Sequence, residues 1–260
     1  MLLYRNICFA LREVARSVVQ REKCYLSRGS SSTFDDKARE NESCNSKEIK
    51  EIIKKITQVS TQHLTPEIAL HLISPVCDLW DAPADQCPFD DPFWAFYWPG
   101  GQVLARYVLD NPSTVRGQSV LDVGSGCGAT AIACVKSGAS HVTANDICQV
   151  AARAMEMNSR LNNVNFQIST ENLIGTQVNS DVLLLGDMFY DHDFTSGVAE
   201  WLLEDVARST AVYVGDPGRF SLKEHPLRHN MTCVAQYDLS EISKRENNGL
   251  TTGYVWKFRR

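Results

Sequence analysis

The chain has no Cys-x-x-Cys pair, and its nine cysteines are scattered from Cys8 to Cys233. A chain of 260 residues can fold on core burial alone, so this spacing gives no disulfide framework and points to a reducing compartment. Metal ligands are equally scarce. His225 and His229 lie four apart but are separated by Pro226 and have no neighbouring cysteine, so no metal is expected. No apolar run reaches the roughly 18 residues that a membrane span needs. A soluble mature protein is expected, with neither a membrane span nor a nucleic acid partner. Apolar groups are also sparse from 33 to 46, a polar and charged stretch suited to a flexible linker.

What is present is unevenly charged. Within residues 1–33, Arg5, Arg12, Arg16, Arg21, Lys23 and Arg28 face only Glu13 and Glu22, so the remainder carries minus nine of the overall minus five. Leu2, Leu3, Ile7, Phe9, Leu11, Val14, Val18 and Val19 interleave with these arginines at near-helical spacing, and Ser27, Ser30, Ser31 and Ser32 follow. The segment resembles a mitochondrial transit peptide, although its two glutamates depart from that acid-poor pattern. Three regions are expected: a transit peptide over 1–33, a linker and accessory helix over 34–63, and a catalytic domain over 64–260.

The accessory helix is read at 47–58 from Ile49, Ile52, Ile53 and Ile56. Thr65 and Pro66 form a plausible N-cap and first-turn pair for a second one. Beyond residue 100, strands and helices alternate as a parallel sheet with crossovers requires. Helices are predicted at 101–110, 127–137, 147–162 and 195–208. Strands are predicted at 118–123, 141–145, 165–169, 181–185 and 211–215, the last running into Asp216-Pro217-Gly218. Segments 231–238 and 251–258 alternate with period two around Asn247-Asn248-Gly249 and read as an antiparallel pair.

The sharpest motif is Val120-Leu121-Asp122-Val123-Gly124-Ser125-Gly126-Cys127-Gly128, an apolar strand running into a glycine turn. Glycines at 124, 126 and 128 let the backbone turn tightly and approach a ligand where a helix begins. Gly124-x-Gly126-x-x-Ala129 also satisfies a relaxed dinucleotide fingerprint, which leaves an NAD-dependent oxidoreductase open. Asp122 tilts the choice: a carboxylate beside the ligand suits a sulfonium and an amino group, and would repel a pyrophosphate. Asp146, ending the next strand, can accept both ribose hydroxyls, or else cap the helix that follows.

Strand, glycine turn, second acid and terminal hairpin together resemble the seven-stranded, class I S-adenosylmethionine methyltransferases. Asp91 to Gly101, with its five aromatics, and Gly186-Asp187-Met188-Phe189-Tyr190-Asp191 narrow the resemblance to protein lysine methyltransferases with an Asp-x-x-Tyr signature. Gly215 to Arg219 and Glu246 to Thr252 narrow it further. The chain is thereby similar, over about residues 64–258, to the mitochondrial lysine methyltransferases of the electron transfer flavoprotein beta subunit. The resemblance implies a Rossmann-like α/β sheet with a terminal antiparallel pair and N-terminal accessory helices, S-adenosyl-L-methionine as cofactor, the electron transfer flavoprotein beta subunit as protein substrate, and the mitochondrial matrix as location.

For the site, Gly124, Gly126, Gly128, Asp122 and Asp146 are the expected cofactor residues, joined by Trp98 on the strength of the resemblance. Trp94 and Phe189 are expected to wall the target side chain. Methyl transfer needs a neutral amine, and a free lysine titrates near about 10.4, so presenting that form at neutral pH costs roughly 3 to 5 kcal/mol. Asp187 is expected to capture and orient the lysine, Tyr190 to complete an aromatic wall and hydrogen-bond nearby, and water to take the proton. Asp187 could alternatively cap the helix near Asp193. Asp78, Asp81, Asp85, Asp90 and Asp91, interleaved with Trp80 and Phe89, form an acidic run suited to docking a basic protein surface. A methyltransferase-like assembly factor without catalysis is the remaining alternative.

Overall fold

The computed structural model describes residues 35–80, 82, 86–89, 92–247 and 249–260, with backbone alone for 35–45, 245 and 246. The basic segment 1–33 lies outside the described residues, as do Asp81, Asp85, Asp90 and Asp91 of the acidic run.

Helix α1 spans Asp35–Ile56. It starts well before the predicted 47, so the stretch read as a linker carries helix from Asp35 onward. Ile53 is fully buried and Ile49 and Ile56 pack against the core. This confirms the isoleucine face as the reason the helix docks.

No second helix opens at Thr65. The Thr65 carbonyl accepts from the Ile68 amide, closing a single turn. The buried Thr65 hydroxyl lies 3.2 Å from the Tyr97 hydroxyl and 3.1 Å from His63 Nδ1. Tertiary partners therefore hold the side chain that was read as a cap. Around this turn β1 (Gln58–Ser60) and β2 (Leu70–Leu72) pair antiparallel.

The main sheet has seven strands: β3 (Ser119–Val123), β4 (His141–Asn145), β5 (Gln167–Ser169), β6 (Val182–Gly186), β7 (Ala211–Asp216), β8 (Met231–Asp238) and β9 (Thr252–Phe258). Their spatial order is β5-β4-β3-β6-β7-β9-β8. The first five run parallel, while β9 is antiparallel to both β7 and β8. This is the expected class I arrangement with its terminal antiparallel pair. The order reverses between β3 and β6, and ligands of open α/β sheets bind at the carboxyl ends of strands around such a point.

Interleaved are α2 (Pro99–Asp110), α3 (Ala129–Lys136), α4 (Gln149–Leu161), α5 (His192–Glu204), a short α6 (Phe220–Glu224) and α7 (Glu241–Glu246). The last two were not anticipated. Ser240 caps α7 by accepting from the Ser243 amide, so the connection from β8 to β9 is a helix and turn rather than a tight hairpin.

Strand parity assigns each face. Val120, Val182, Leu184, Tyr213 and Val255 face one core under α2, α3 and α4. Leu121, Val123, Leu183, Leu185, Val212 and Val214 face the other, under α5. Asp122 lies between two residues of the second face and so belongs to the first, beneath α3.

Helix α2 crosses the sheet without side chains at its closest point. A Cβ on Gly100 would lie 2.5 Å from the Asp187 nitrogen and would run into the Gly215 carbonyl oxygen. A Cβ on Gly186 would lie 2.9 Å from Gly101 Cα. The helix start thereby meets the ends of β6 and β7 backbone to backbone, which delivers its amides to the functional edge.

Candidate active site

The turn after β3 takes the conformation its glycines permit. Gly124, Gly126 and Gly128 have φ of 70°, 54° and 80°, a region that strains other residues. Met188 fills the space into which a Cβ on Gly124 would project, and Trp94 Cα lies 3.9 Å from where one on Gly126 would stand. Asn158, fully buried on α4, donates to the Cys127 carbonyl at 2.8 Å and accepts from the His71 amide at 2.8 Å. One amide side chain therefore ties the turn to the small N-terminal sheet. The sequence reading missed this residue, which looks like any polar position on a helix.

Asp122 stands under this turn, not openly beside it. It is 1 % exposed and accepts from the Ser125 hydroxyl. Burial pushes its carboxyl up to about 7, with the nearby charge of Asp146 adding to the rise and the Ser125 hydroxyl opposing it. The expectation of a carboxylate lying alongside the ligand is corrected accordingly: Asp122 supports the glycine turn from inside the core.

A carboxyl whose folded pKa exceeds its unfolded value makes the folded state bind more protons between about pH 4 and 7. This contribution is fully present below the unfolded value and lost as pH rises through the folded one. In the cofactor-free protein, Asp122→Asn should flatten the fall in stability across that window in urea titrations.

Asp146 is partly buried and has both carboxylate oxygens engaged. Oδ2 accepts from the Gly126 amide at 2.9 Å and Oδ1 from the Cys148 amide at 3.0 Å. Holding the helix start leaves room for a ligand, because each oxygen keeps a second lone pair. Burial raises its pKa against the pull of those two amides. Glycines that admit no Cβ, an adjacent carboxylate pinned to the turn, and a strand-end position fit the sugar of a nucleoside cofactor.

Asp187 closes β6 in a left-handed conformation, φ 60°, and is 7 % exposed. Its Oδ2 accepts from the Gly100 amide at the start of α2, at 2.7 Å, and its Oδ1 from Arg219 Nε, also at 2.7 Å. A helix N-terminus and a guanidinium thus hold its two oxygens in place. Asp187 does not cap α5. Asp191 does, accepting from the Asp193 and Phe194 amides.

The four aromatic residues expected at the site divide between the core and the edge. Phe189 is fully buried in the second core, because the chain turns under α5 after Asp187, so it packs the domain and does not wall the site. Trp94 is 2 % exposed and sits edge-on to Phe89 at 5.9 Å, so its ring is core while its backbone roofs the turn. Trp98 remains at the edge: its indole donates to the Phe93 carbonyl at 2.9 Å, and its ring lies 5.8 Å from the Arg219 guanidinium. Tyr190 is 40 % exposed and stacks on Phe194 with centroids 5.2 Å apart. Partial burial, followed by the charges of Asp191 and Asp146, pushes its phenol up to about 12, so it is a neutral donor near Asp146.

Asp216 and Arg219 were not assigned roles from the sequence. The signal was there: β7 ends on an acid just as β4 and β6 run into one. Asp216 is 1 % exposed, and its Oδ1 accepts from the Gly218 and Arg219 amides at 2.7 and 2.9 Å.

Residues 104–185 match the family model described as ribosomal protein L11 methyltransferase (PrmA). An electron transfer flavoprotein beta subunit lysine methyltransferase from Mus musculus is 48 % identical over 220 residues, covering 83 % of this chain and 86 % of the relative. The Danio rerio protein of the same name is 42 % identical over 262 residues, covering 98 % of each. A solved ribosomal protein L11 methylase from Lactobacillus delbrueckii subsp. bulgaricus aligns over 60 % of this chain and 77 % of its own, at 20 % identity and a TM-score of 0.44. At this identity and coverage the chain belongs to the electron transfer flavoprotein beta subunit lysine methyltransferase family.

Proposed function

We propose that the protein transfers methyl groups from S-adenosyl-L-methionine to lysines of the electron transfer flavoprotein beta subunit in the mitochondrial matrix. The observation that carries this reading is Asp187, a strand-end carboxylate oriented by a helix N-terminus beside a glycine turn that suits a nucleoside. The relatives' shared name supplies the substrate, and the basic segment 1–33 supports the location.

Each residue has a part in the transfer. Gly124, Gly126 and Gly128 open the backbone to the cofactor, Asp146 holds its ribose, and Trp98 and Tyr190 border the edge. When bound, the cofactor supplies an electrophilic methyl on a positive sulfur. Asp187 accepts the N–H groups of the target amine and fixes its direction of approach. Holding the reacting atoms in line supplies roughly 7 to 11 kcal/mol in favourable cases, so most of the acceleration is positional. Asp78, exposed just before Trp80, opens a run of acidic residues in the sequence that suits a basic surface of the substrate.

Asp146→Ala removes hydrogen bonds to a charged group, worth about 1.5 to 3 kcal/mol. Calorimetry with S-adenosylhomocysteine should find cofactor affinity about ten- to hundredfold weaker. The reading as a whole is tested by incubating the purified protein with methyl-labelled S-adenosylmethionine and isolated beta subunit. Label should enter the beta subunit. Tight cofactor binding with no label transferred would favour an assembly factor instead.

A further inference from the structure

Four carboxylate oxygens lie together at the ends of β6 and β7, where Gly186, the last residue of β6, pairs in register with Gly215, the residue before Asp216. Three have partners: Asp187 Oδ2 takes the Gly100 amide, Asp187 Oδ1 takes Arg219, and Asp216 Oδ1 takes the Gly218 and Arg219 amides. The fourth, Asp216 Oδ2, is buried with no hydrogen-bond partner. A buried acceptor left without a donor is costly, so its retention needs a reason. Two carboxylates sharing one cation form a cradle that is short of one positive group or one proton.

We propose that Asp216 is a second carboxylate of the lysine site, whose Oδ2 accepts an N–H of the target ammonium and takes its proton. The inference rests on the lysine methyltransferase reading and deepens it, with Asp216 doing what bulk water would otherwise do. The ammonium gives one proton to Asp216, leaving a neutral amine and a neutral carboxyl. The nitrogen lone pair then forms the bond to the methyl carbon while the carbon–sulfur pair stays on sulfur. The Asp216 proton leaves to water on turnover.

Arg219 marks the way in. Its guanidinium is the part-exposed cation at this pair, bonding Asp187 and the Asn247 side chain at 3.3 Å and lying 5.8 Å from the Trp98 ring. The target ammonium replaces one cation by another when it displaces this guanidinium toward Trp98. The charged and titratable groups facing Asp216 are Asp187 from the end of β6, Arg219 from its own loop, and Tyr254, its register partner on β9. Helix α2 contributes only the dipole of its first turn, through Gly100. Burial first, then the charge of Asp187, raises the Asp216 carboxyl to about 7, against the pull of Arg219 and its amide, so it can exchange a proton near neutral pH.

The test is a single-turnover pH profile on the full-length protein, with saturating S-adenosylmethionine and the beta subunit, for the natural chain and Asp216→Asn. Asparagine keeps the Oδ1 acceptor for Gly218 and Arg219. The natural enzyme should rise through an inflection near pH 7 and level off. Asp216→Asn should be slowed about 10²- to 10⁴-fold at pH 7.5, rise tenfold per pH unit with no plateau, and bind S-adenosylhomocysteine within twofold of the natural chain. An unchanged profile in Asp216→Asn overturns the proposal. So does a natural enzyme that rises tenfold per unit without inflection, a readout that stands even if the variant fails to fold. A natural enzyme that methylates no lysine overturns the underlying reading instead.

Discussion

Replacing Asp187 by Asn should reduce methyl transfer to the beta subunit by roughly 10²- to 10⁴-fold while leaving cofactor affinity within a fewfold of the natural chain. Asparagine is the informative substitute because it tolerates φ near 60° better than other residues and keeps one acceptor oxygen. It cannot accept from both Gly100 and Arg219, and it carries no charge to hold the target amine. Alanine would confuse the result, since it adds backbone strain and leaves Arg219 without its carboxylate. Rapid-quench transfer rates and calorimetric cofactor affinity measured on the same preparation check this. Equal losses in both would place Asp187 in the cofactor site instead.

The second large effect is structural. Gly215→Ala should lower stability by roughly 3 kcal/mol, which for a domain of this size shifts the unfolding midpoint by about 6 to 12 °C. Its Cβ would strike the Gly100 carbonyl oxygen and lie 2.8 Å from Leu104 Cβ. Backbone opposes backbone here, so no side-chain rotation relieves the contact. Because the Asp187 amide donates to the Gly215 carbonyl at 2.9 Å, transfer should fall along with stability. Gly197→Ala on α5 is the control: nothing lies within 4 Å of its Cβ, and a helical glycine replaced by alanine should gain about 0.5 to 1 kcal/mol. Calorimetric melting of the two variants separates close approach from a general effect of added methyl groups.

Local signals in the sequence were sufficient where a side chain and its role lie on one element. The strand ends at Asp146 and Asp187 were legible because apolar runs stop there and helices follow. The glycine turn was legible because few other reasons place glycines at 124, 126 and 128. Phe189 was misread because a strand-end aromatic can turn to either face, and only the left-handed bend at Asp187 decides which. The Thr65 cap was misread for a similar reason. Tyr97 is 32 residues away, and no local pattern announces that its hydroxyl will claim Thr65. The insertion of β9 between β7 and β8 depends on a long return connection, which alternation alone does not order. Asp216 was visible as a strand-ending acid, but its meaning arises only when Asp187 and Arg219 are brought beside it.

These observations converge on one chemical event at the shared ends of β6 and β7. The most direct measurement is residue-level mass spectrometry of mitochondrial extract incubated with the purified protein and methyl-labelled S-adenosylmethionine. The account requires the label on lysine ε-nitrogens of the electron transfer flavoprotein beta subunit, and its loss with Asp187→Asn. Label on arginine or on a small molecule, or lysine label that survives Asp187→Asn undiminished, would contradict it.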